Sequence, residues 1–250
     1  MRIFGTLLRR ELSSFFYTWT GYVIIAAVAL LTGLSFVVLV QNLGPDPTPM
    51  PVTEMFYRTY FFWLIVLLVT PVITMRLFAL EKAAGTFENL MTTAVDDAQV
   101  VAAKFFAALM FYLIAWLPLA ACLTVIRHFT HQNAGLDCGT ISGMFLGILL
   151  TGSLFLSLGC FASALSRSQM TAAMISFALG MSLFSLGFLA EALPPTARWQ
   201  AQVISYFGLF QQMHDFARGV VDTRTVVFYV SATFVFLFLT LRVVESRRWK

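Results

Sequence analysis

Residues 76 to 104 read RLFALEKAAGTFENLMTTAVDDAQVVAAK, the longest run of regularly placed polar residues between two hydrophobic spans. From Thr86 the spacing predicts a short amphipathic helix. Thr86 is placed to cap the first free amides, and Glu88 falls in the first turn, where the helix dipole favours negative charge. Phe87, Leu90, Met91 and Ala94 recur at helical spacing and form one apolar face. Asp96 gives a second start signal, and with Gln99 three residues on it matches a capping box for a helix running through Lys104 into the next span. A helix, a break and a second helix between two spans is an element that can be pushed from outside the membrane.

The composition around this stretch sets the class. Hydrophobic residues make up 59% of the 250, charged residues only 11%, and the mean hydropathy is +0.83. A soluble domain of this length is far more charged, so the chain reads as an all-α integral membrane protein forming one membrane domain over 1–250. The net charge of +4 does not imply nucleic acid, because the basic residues lie between apolar spans instead of on one patch.

Working outward, residues 2–16 place Phe4, Leu7, Leu8, Leu12 and Phe15 on one helical face, and Arg2, Arg9 and Ser13 on the other. This predicts an interfacial helix over 1–18. Glu11 falls on its apolar face, where a carboxylate needs either an arginine from another segment or room to snorkel to the interface. Six membrane spans are expected, at about 19–40, 57–75, 105–126, 141–165, 170–190 and 226–244, each suited to about 30 Å of hydrocarbon. The first is too long for the apolar core of a signal peptide. A loop with Pro45, Pro47, Pro49 and Pro51 follows it and reads as irregular. Pro71 lies inside the second span, and Pro118 is expected to kink the third.

Gly143, Gly147 and Thr151 recur at four-residue intervals in the fourth span, as do Ala172, Ser176 and Gly180 in the fifth. Small residues at this spacing let helices approach closely, within one bundle or at a subunit interface. Residues 191–225 keep an apolar stripe of Tyr206, Phe207, Phe210, Met213, Phe216 and Ala217. The interleaved Gln211, Gln212, His214, Asp215 and Arg218 are too polar for a span, which predicts short helices at the outer interface.

Orientation follows from the basic residues. Arg2, Arg9, Arg10, Arg76, Lys82, Lys104, Arg167, Arg242, Arg247, Arg248 and Lys250 collect on one side; Arg58, Arg127, Arg198, Arg218 and Arg224 collect on the other. The richer side is cytoplasmic by the positive-inside rule, which places both termini and residues 76–104 there.

Several chemistries are excluded. No G-x-x-x-x-G-K-[ST] loop occurs, so this chain should not hydrolyse ATP by itself, and no nucleophile or zinc-hydrolase arrangement appears. His128, His131 and Cys138 match no usual metal spacing. Cys122, Cys138 and Cys160 lie far apart and read as small buried residues. An ion-coupled carrier needs charges near the middle of its spans, whereas here they gather at the ends.

Glu81, Gly85, Thr86, Glu88 and Leu90, followed by Lys104, resemble the E-x-x-x-G-T-x-E-x-L signature of the cytoplasmic loop in permease subunits of type-2 ABC exporters. The pair Arg10-Glu11 resembles that family's interfacial helix, and Phe216 to Asp222, FARGVVD, resembles the outer segment before its last span. The nearest likeness is to the gliding-motility type, and more distantly to the permease of copper-site maturation in nitrous oxide reductase. The proline that often follows the loop signature is replaced by Thr93-Ala94-Val95-Asp96.

The resemblance implies a cytoplasmic coupling helix contacting a separate ABC ATPase, which binds ATP and Mg; this chain would bind no cofactor or metal. It implies a second permease, identical or not, in the inner membrane, and leaves room for a periplasmic or membrane accessory protein. Glu81, Gly85, Thr86, Glu88 and Leu90 would form or shape the ATPase contact, with Glu11 bracing it; Phe216, Arg218, Gly219 and Asp222 would belong to the outer segment. A different class, a membrane scaffold of an envelope or motility complex that moves no substrate, is the alternative.

Overall fold

A computed structural model describes residues 2–42, 52–85, 96–129, 138–192 and 208–246. All regular structure among them is helical: α1 (Arg2–Phe16), α2 (Trp19–Asn42), α3 (Val52–Arg58), α4 (Tyr60–Thr74), α5 (Ala79–Ala83), α6 (Asp97–Ala115), α7 (Leu117–Phe129), α8 (Cys138–Leu165), α9 (Gln169–Ala192), α10 (Leu209–Ala217) and α11 (Thr223–Ser246). Among the described residues, six stretches are long and apolar enough to cross a membrane, including α4 continued through α5 and α6 continued through α7. Helices are the form such segments must take, since hydrocarbon offers the backbone no hydrogen-bond partner.

The spans are not equally embedded in the protein. In α8, 78% of the apolar window is buried, against 17% in α11. Helix α8 is therefore the spine on which the others rest, and its glycines explain why. A Cβ at Gly152 would stand 2.2 Å from the ring of Tyr112 in α6, and one at Gly159 would stand 2.1 Å from Thr74 Oγ1 in α4. Thr74 cannot swing clear, because it is β-branched and its hydroxyl donates to the Thr70 carbonyl at 2.8 Å. Gly159→Ala should therefore lower stability by about 1–3 kcal/mol through overpacking. Gly33→Ala in α2, with nothing within 4 Å, should not. Thermal unfolding of the two variants in detergent distinguishes them.

Helix α1 lies along α6. Phe15 stacks on Phe111 at 4.7 Å between ring centroids, and Phe4 meets Phe106 edge-on at 6.4 Å, so part of its apolar face is covered by protein. Between α6 and α7 the helix breaks at Trp116, two residues before Pro118, whose ring disfavours the preceding helical turn.

Three expectations need correction. Asp96 stands at the N-cap of α6 with extended backbone but makes no side-chain capping bond; its main-chain carbonyl takes the Gln99 and Val100 amides instead. The side chain is exposed, so water meets its needs in place of the Gln99 box. The end of the proline-rich loop is not irregular: it carries α3, folded by packing against α10 and α8. Of the cysteines, Cys160 is fully buried but Cys122 is only half-buried, because α7 turns one side outward. Residues 43–51, His131, the 191–225 stripe positions Tyr206 and Phe207, and the tail Arg247, Arg248 and Lys250 lie outside the described residues.

Candidate functional site

Where the chain leaves α4 it is strapped down over ten residues. Helix α5 has only five residues, too few to hold itself in water or at an interface, so its stability must come from its neighbours. Ser163 of α8 provides it. Its hydroxyl accepts the Phe78 and Ala79 amides at 3.1 and 3.2 Å, two donors that a helix start leaves unpaired, and it donates to the Met75 carbonyl at 3.4 Å. Lys82 donates to the Ala164 carbonyl in the last turn of α8, where the helix dipole favours a cation. Arg76 reaches the hydroxyls of Thr18, at 3.1 Å, and Thr20 at the junction of α1 and α2. The strap closes at Gly85, whose φ of +70° suits glycine.

At the centre of this end lies a neutral cluster of four charges. Lys104 of α6, its side chain 2% exposed, places Nζ 2.8 Å from Glu81 Oε1 and 3.2 Å from Glu11 Oε2. Arg10 meets Glu11 Oε1 at 2.9 Å and Glu81 Oε1 at 3.7 Å, and the Phe78 ring lies 5.5 Å from the lysine nitrogen. Burying an ammonium costs several kcal/mol unless it is paired, and here two carboxylates share it. One lysine thereby ties α1, α5 and α6 together. The arrangement has no nucleophile or acid–base pair facing a cavity; what it can do is transmit displacement of the segment after Gly85 to three helices at once.

The sequence named Arg10, Glu11, Glu81 and Gly85, and the structure brings the first three together with Gly85 ending the strap. Thr86, Glu88 and Leu90 fall outside the described residues. Of the two readings of Glu11, an arginine from another segment or snorkelling to the interface, the structure gives neither: the distant partner is Lys104, and the arginine is its neighbour on α1. Lys104 as the hub, together with Lys82, Arg76 and Ser163, was missed. The available signal was a single lysine inside the apolar run VVAAKFFAAL.

At the opposite end of the bundle α3 and α10 are clamped together. Glu54, 2% exposed, accepts two hydrogen bonds from Arg218, at 3.0 and 2.9 Å, and lies 3.3 Å from His214 Nδ1. Thr53 donates to the Ala217 carbonyl at 2.7 Å, and Tyr57 to the Met144 carbonyl of α8 at 2.6 Å. Helix α10 ends in a Schellman turn: Val220 N–H bonds the Asp215 carbonyl, Gly219 N–H bonds the Phe216 carbonyl, and Gly219 has φ +77°. Asp222 then accepts the Arg224 amide at the start of α11. Glu54 was not singled out in the sequence, because the loop containing it read as irregular.

The hydrogen bonds from Arg218, more than its charge, hold the Glu54 carboxyl below its ordinary range against the opposing effect of burial. A lowered folded-state value means that this pair contributes stability above the unfolded value of 4.5 and loses it as pH falls from there. The thermal midpoint should therefore drop more steeply below pH 4.5 in the wild type than in Glu54→Gln.

The small residues of the fourth and fifth spans meet partners in the same chain. Gly143 lies under Phe216, where a Cβ would stand 2.4 Å from its carbonyl oxygen, and Gly147 faces Tyr57 and Met213. Gly180 faces Phe155 and Leu67, and Ala172 and Ser176 are buried.

A family model described as ABC-2 family transporter protein matches residues 15–183, more than half of the chain. No curated protein matches it.

Proposed function

The chain belongs to the ABC-2 family of transporter proteins, and from that premise we propose that it is the permease subunit of an exporter, driven by a separate ATPase that binds ATP and Mg. The ATPase seats on the segment from Thr86 through Glu88 and Leu90, with Glu81 and Gly85 shaping the approach. Both termini and residues 76–104 face the cytoplasm, on the side richer in Lys and Arg, and the chain resides in the inner membrane. A second permease, identical or not, completes the path, and the subunit is of the gliding-motility type.

The single observation that supports coupling most is Lys104. A buried cation shared between the start of the cytoplasmic segment and two further helices makes the three move together, which a push on that segment requires. A push on the segment moves Glu81, and Lys104 and Glu11 follow, because separating them leaves charges unpaired at low exposure.

The test is affinity purification of the tagged chain in mild detergent, with mass spectrometry and an ATP hydrolysis assay of the eluate. A stoichiometric P-loop ATPase is expected. Glu88→Arg should lose the ATPase while leaving the permease's thermal midpoint unchanged, the ion cluster of Arg10, Glu11, Glu81 and Lys104 keeping all its own side chains. Recovery of envelope proteins alone would favour the scaffold.

A further inference from the structure

We propose that Arg76 holds the phosphodiester of an anionic phospholipid where α1 meets α2, with the lipid's acyl chains lying along an apolar strip on α4. The proposal needs only that α4 crosses the membrane; it does not rest on the ATPase.

Arg76 is half-buried, and its hydrogen bonds can be counted atom by atom. Thr18 spends its hydroxyl proton on the main chain of α1, facing the Ser14 and Phe15 carbonyls at 3.2 and 3.3 Å, and Thr20 donates to Thr18 at 3.1 Å. Both hydroxyl oxygens therefore act as acceptors toward Arg76, and both take Nη1. A guanidinium has five N–H donors. Those on Nε and Nη2 have no acceptor among the described residues, and no carboxylate among those residues pairs with Arg76. The Nη1 contacts hold the plane of the group, so its side edge, Nε with Nη2, is a preset fork that a phosphate can accept in two parallel bonds.

The depth suits a headgroup. Tyr17 and Trp19, each 88% exposed, flank Thr18. Exposed aromatic side chains at the start of a span mark the boundary between hydrocarbon and water. A cation at that level with donors to spare attracts the anionic lipids of its leaflet.

The apolar strip begins one turn away. From Phe62 to Thr74 every residue is buried except Leu64, Leu68 and Val72, which are 40, 48 and 36% exposed and recur at every fourth position. Arg76 is the next in that series, and the chain still turns there, with Met75 N–H bonded to the Pro71 carbonyl and Leu77 N–H to that of Thr74. Helix α4 packs against α2, α8 and α9, so little more than this strip of its span meets the bilayer. An apolar strip that ends in a guanidinium fork matches a molecule that is hydrocarbon at one end and phosphate at the other. A free anion would leave the strip unused, and a second copy of this chain would have to bring a carboxylate to the fork.

Photo-crosslinking tests this with Arg76, Thr18 and Thr20 in place. Benzoylphenylalanine replaces either Val72 or Phe234, the latter 69% exposed in α11, in the full chain. The protein is reconstituted in vesicles of equimolar phosphatidylglycerol and phosphatidylethanolamine with identical acyl chains, irradiated, and the attached lipid identified by mass spectrometry. Phosphatidylglycerol is expected to exceed phosphatidylethanolamine, whose ammonium offsets its own phosphate, about threefold at Val72, the preference that a partly exposed charge pair gives. At Phe234 the two should be equal. Arg76→Gln should bring Val72 to equality as well, and excess inorganic phosphate, against chloride at matched ionic strength, should leave the preference at Val72 unchanged.

Equal capture of the two lipids at Val72 in the chain that keeps Arg76 overturns the proposal without reliance on any variant of the site. A preference that survives Arg76→Gln overturns the assignment to that residue. Loss of the preference in phosphate makes the fork a general anion site, and covalent dimers at Val72 give the strip to a second copy; either result overturns the lipid.

Discussion

Lys104→Met is expected to be among the most damaging substitutions in this chain. It leaves Glu11 and Glu81, 12% and 19% exposed, facing each other without the buried cation they shared. Removing one partner of a buried ion pair typically costs about 3–5 kcal/mol, because the charge left behind is uncompensated. In a thermal-unfolding series monitored by size exclusion, the variant should unfold first. The triple variant Lys104→Met, Glu11→Gln, Glu81→Gln should recover most of the loss, since no net charge is then buried and the effects of contacting residues do not add. If the cluster transmits force, the triple variant will be stable yet unable to stimulate its ATPase. If it only holds the helices together, stability and stimulation will return together.

The second large effect is expected at the other end. Arg218→Ala strips Glu54 of both guanidinium hydrogen bonds, leaving a carboxylate 2% exposed with His214 beside it. The same reasoning gives a loss of about 3–5 kcal/mol. Glu54→Ala should cost less, because the Arg218 side chain it abandons already reaches water. Pairing Arg218→Ala with Glu54→Gln should recover part of the loss. Equal losses for the two single alanine variants would show that burial of Glu54 does not set the energetics of this clamp.

Much of the fold was legible because hydrocarbon leaves few choices. An apolar run of about 20 residues can only be a helix there, and six such runs were plain in the composition. The site was legible only in part, for reasons that differ by residue. Glu11 showed that it needed a partner, since a carboxylate on an apolar stripe does, but a partner 93 positions away is a property of packing and leaves no local trace. Lys104 was read as a basic residue on the cytoplasmic side at the start of a span, which says nothing of the two carboxylates that packing brings to it. Glu54 follows a proline-rich stretch, and its helix is held by packing against α2, α4, α8 and α10. Asp96 and Gln99 had the spacing of a capping box, yet nothing obliges an exposed aspartate to fold back when water is available. Ser163 was one of many small polar residues in the spans until the chain leaving α4 came to rest on it.

The depth at which α8 sits has a consequence for how the protein is made. Chains enter the membrane from the N-terminus onward, so α1 to α6 arrive before α8 does. Glu11 and Lys104 are then both present and can pair on the nascent chain, while Glu81 waits with α5. Thr74 and Tyr112, by contrast, wait for Gly159 and Gly152, and α5 waits for Ser163. Until synthesis reaches residue 165 the emerging protein exposes the seats of its own spine.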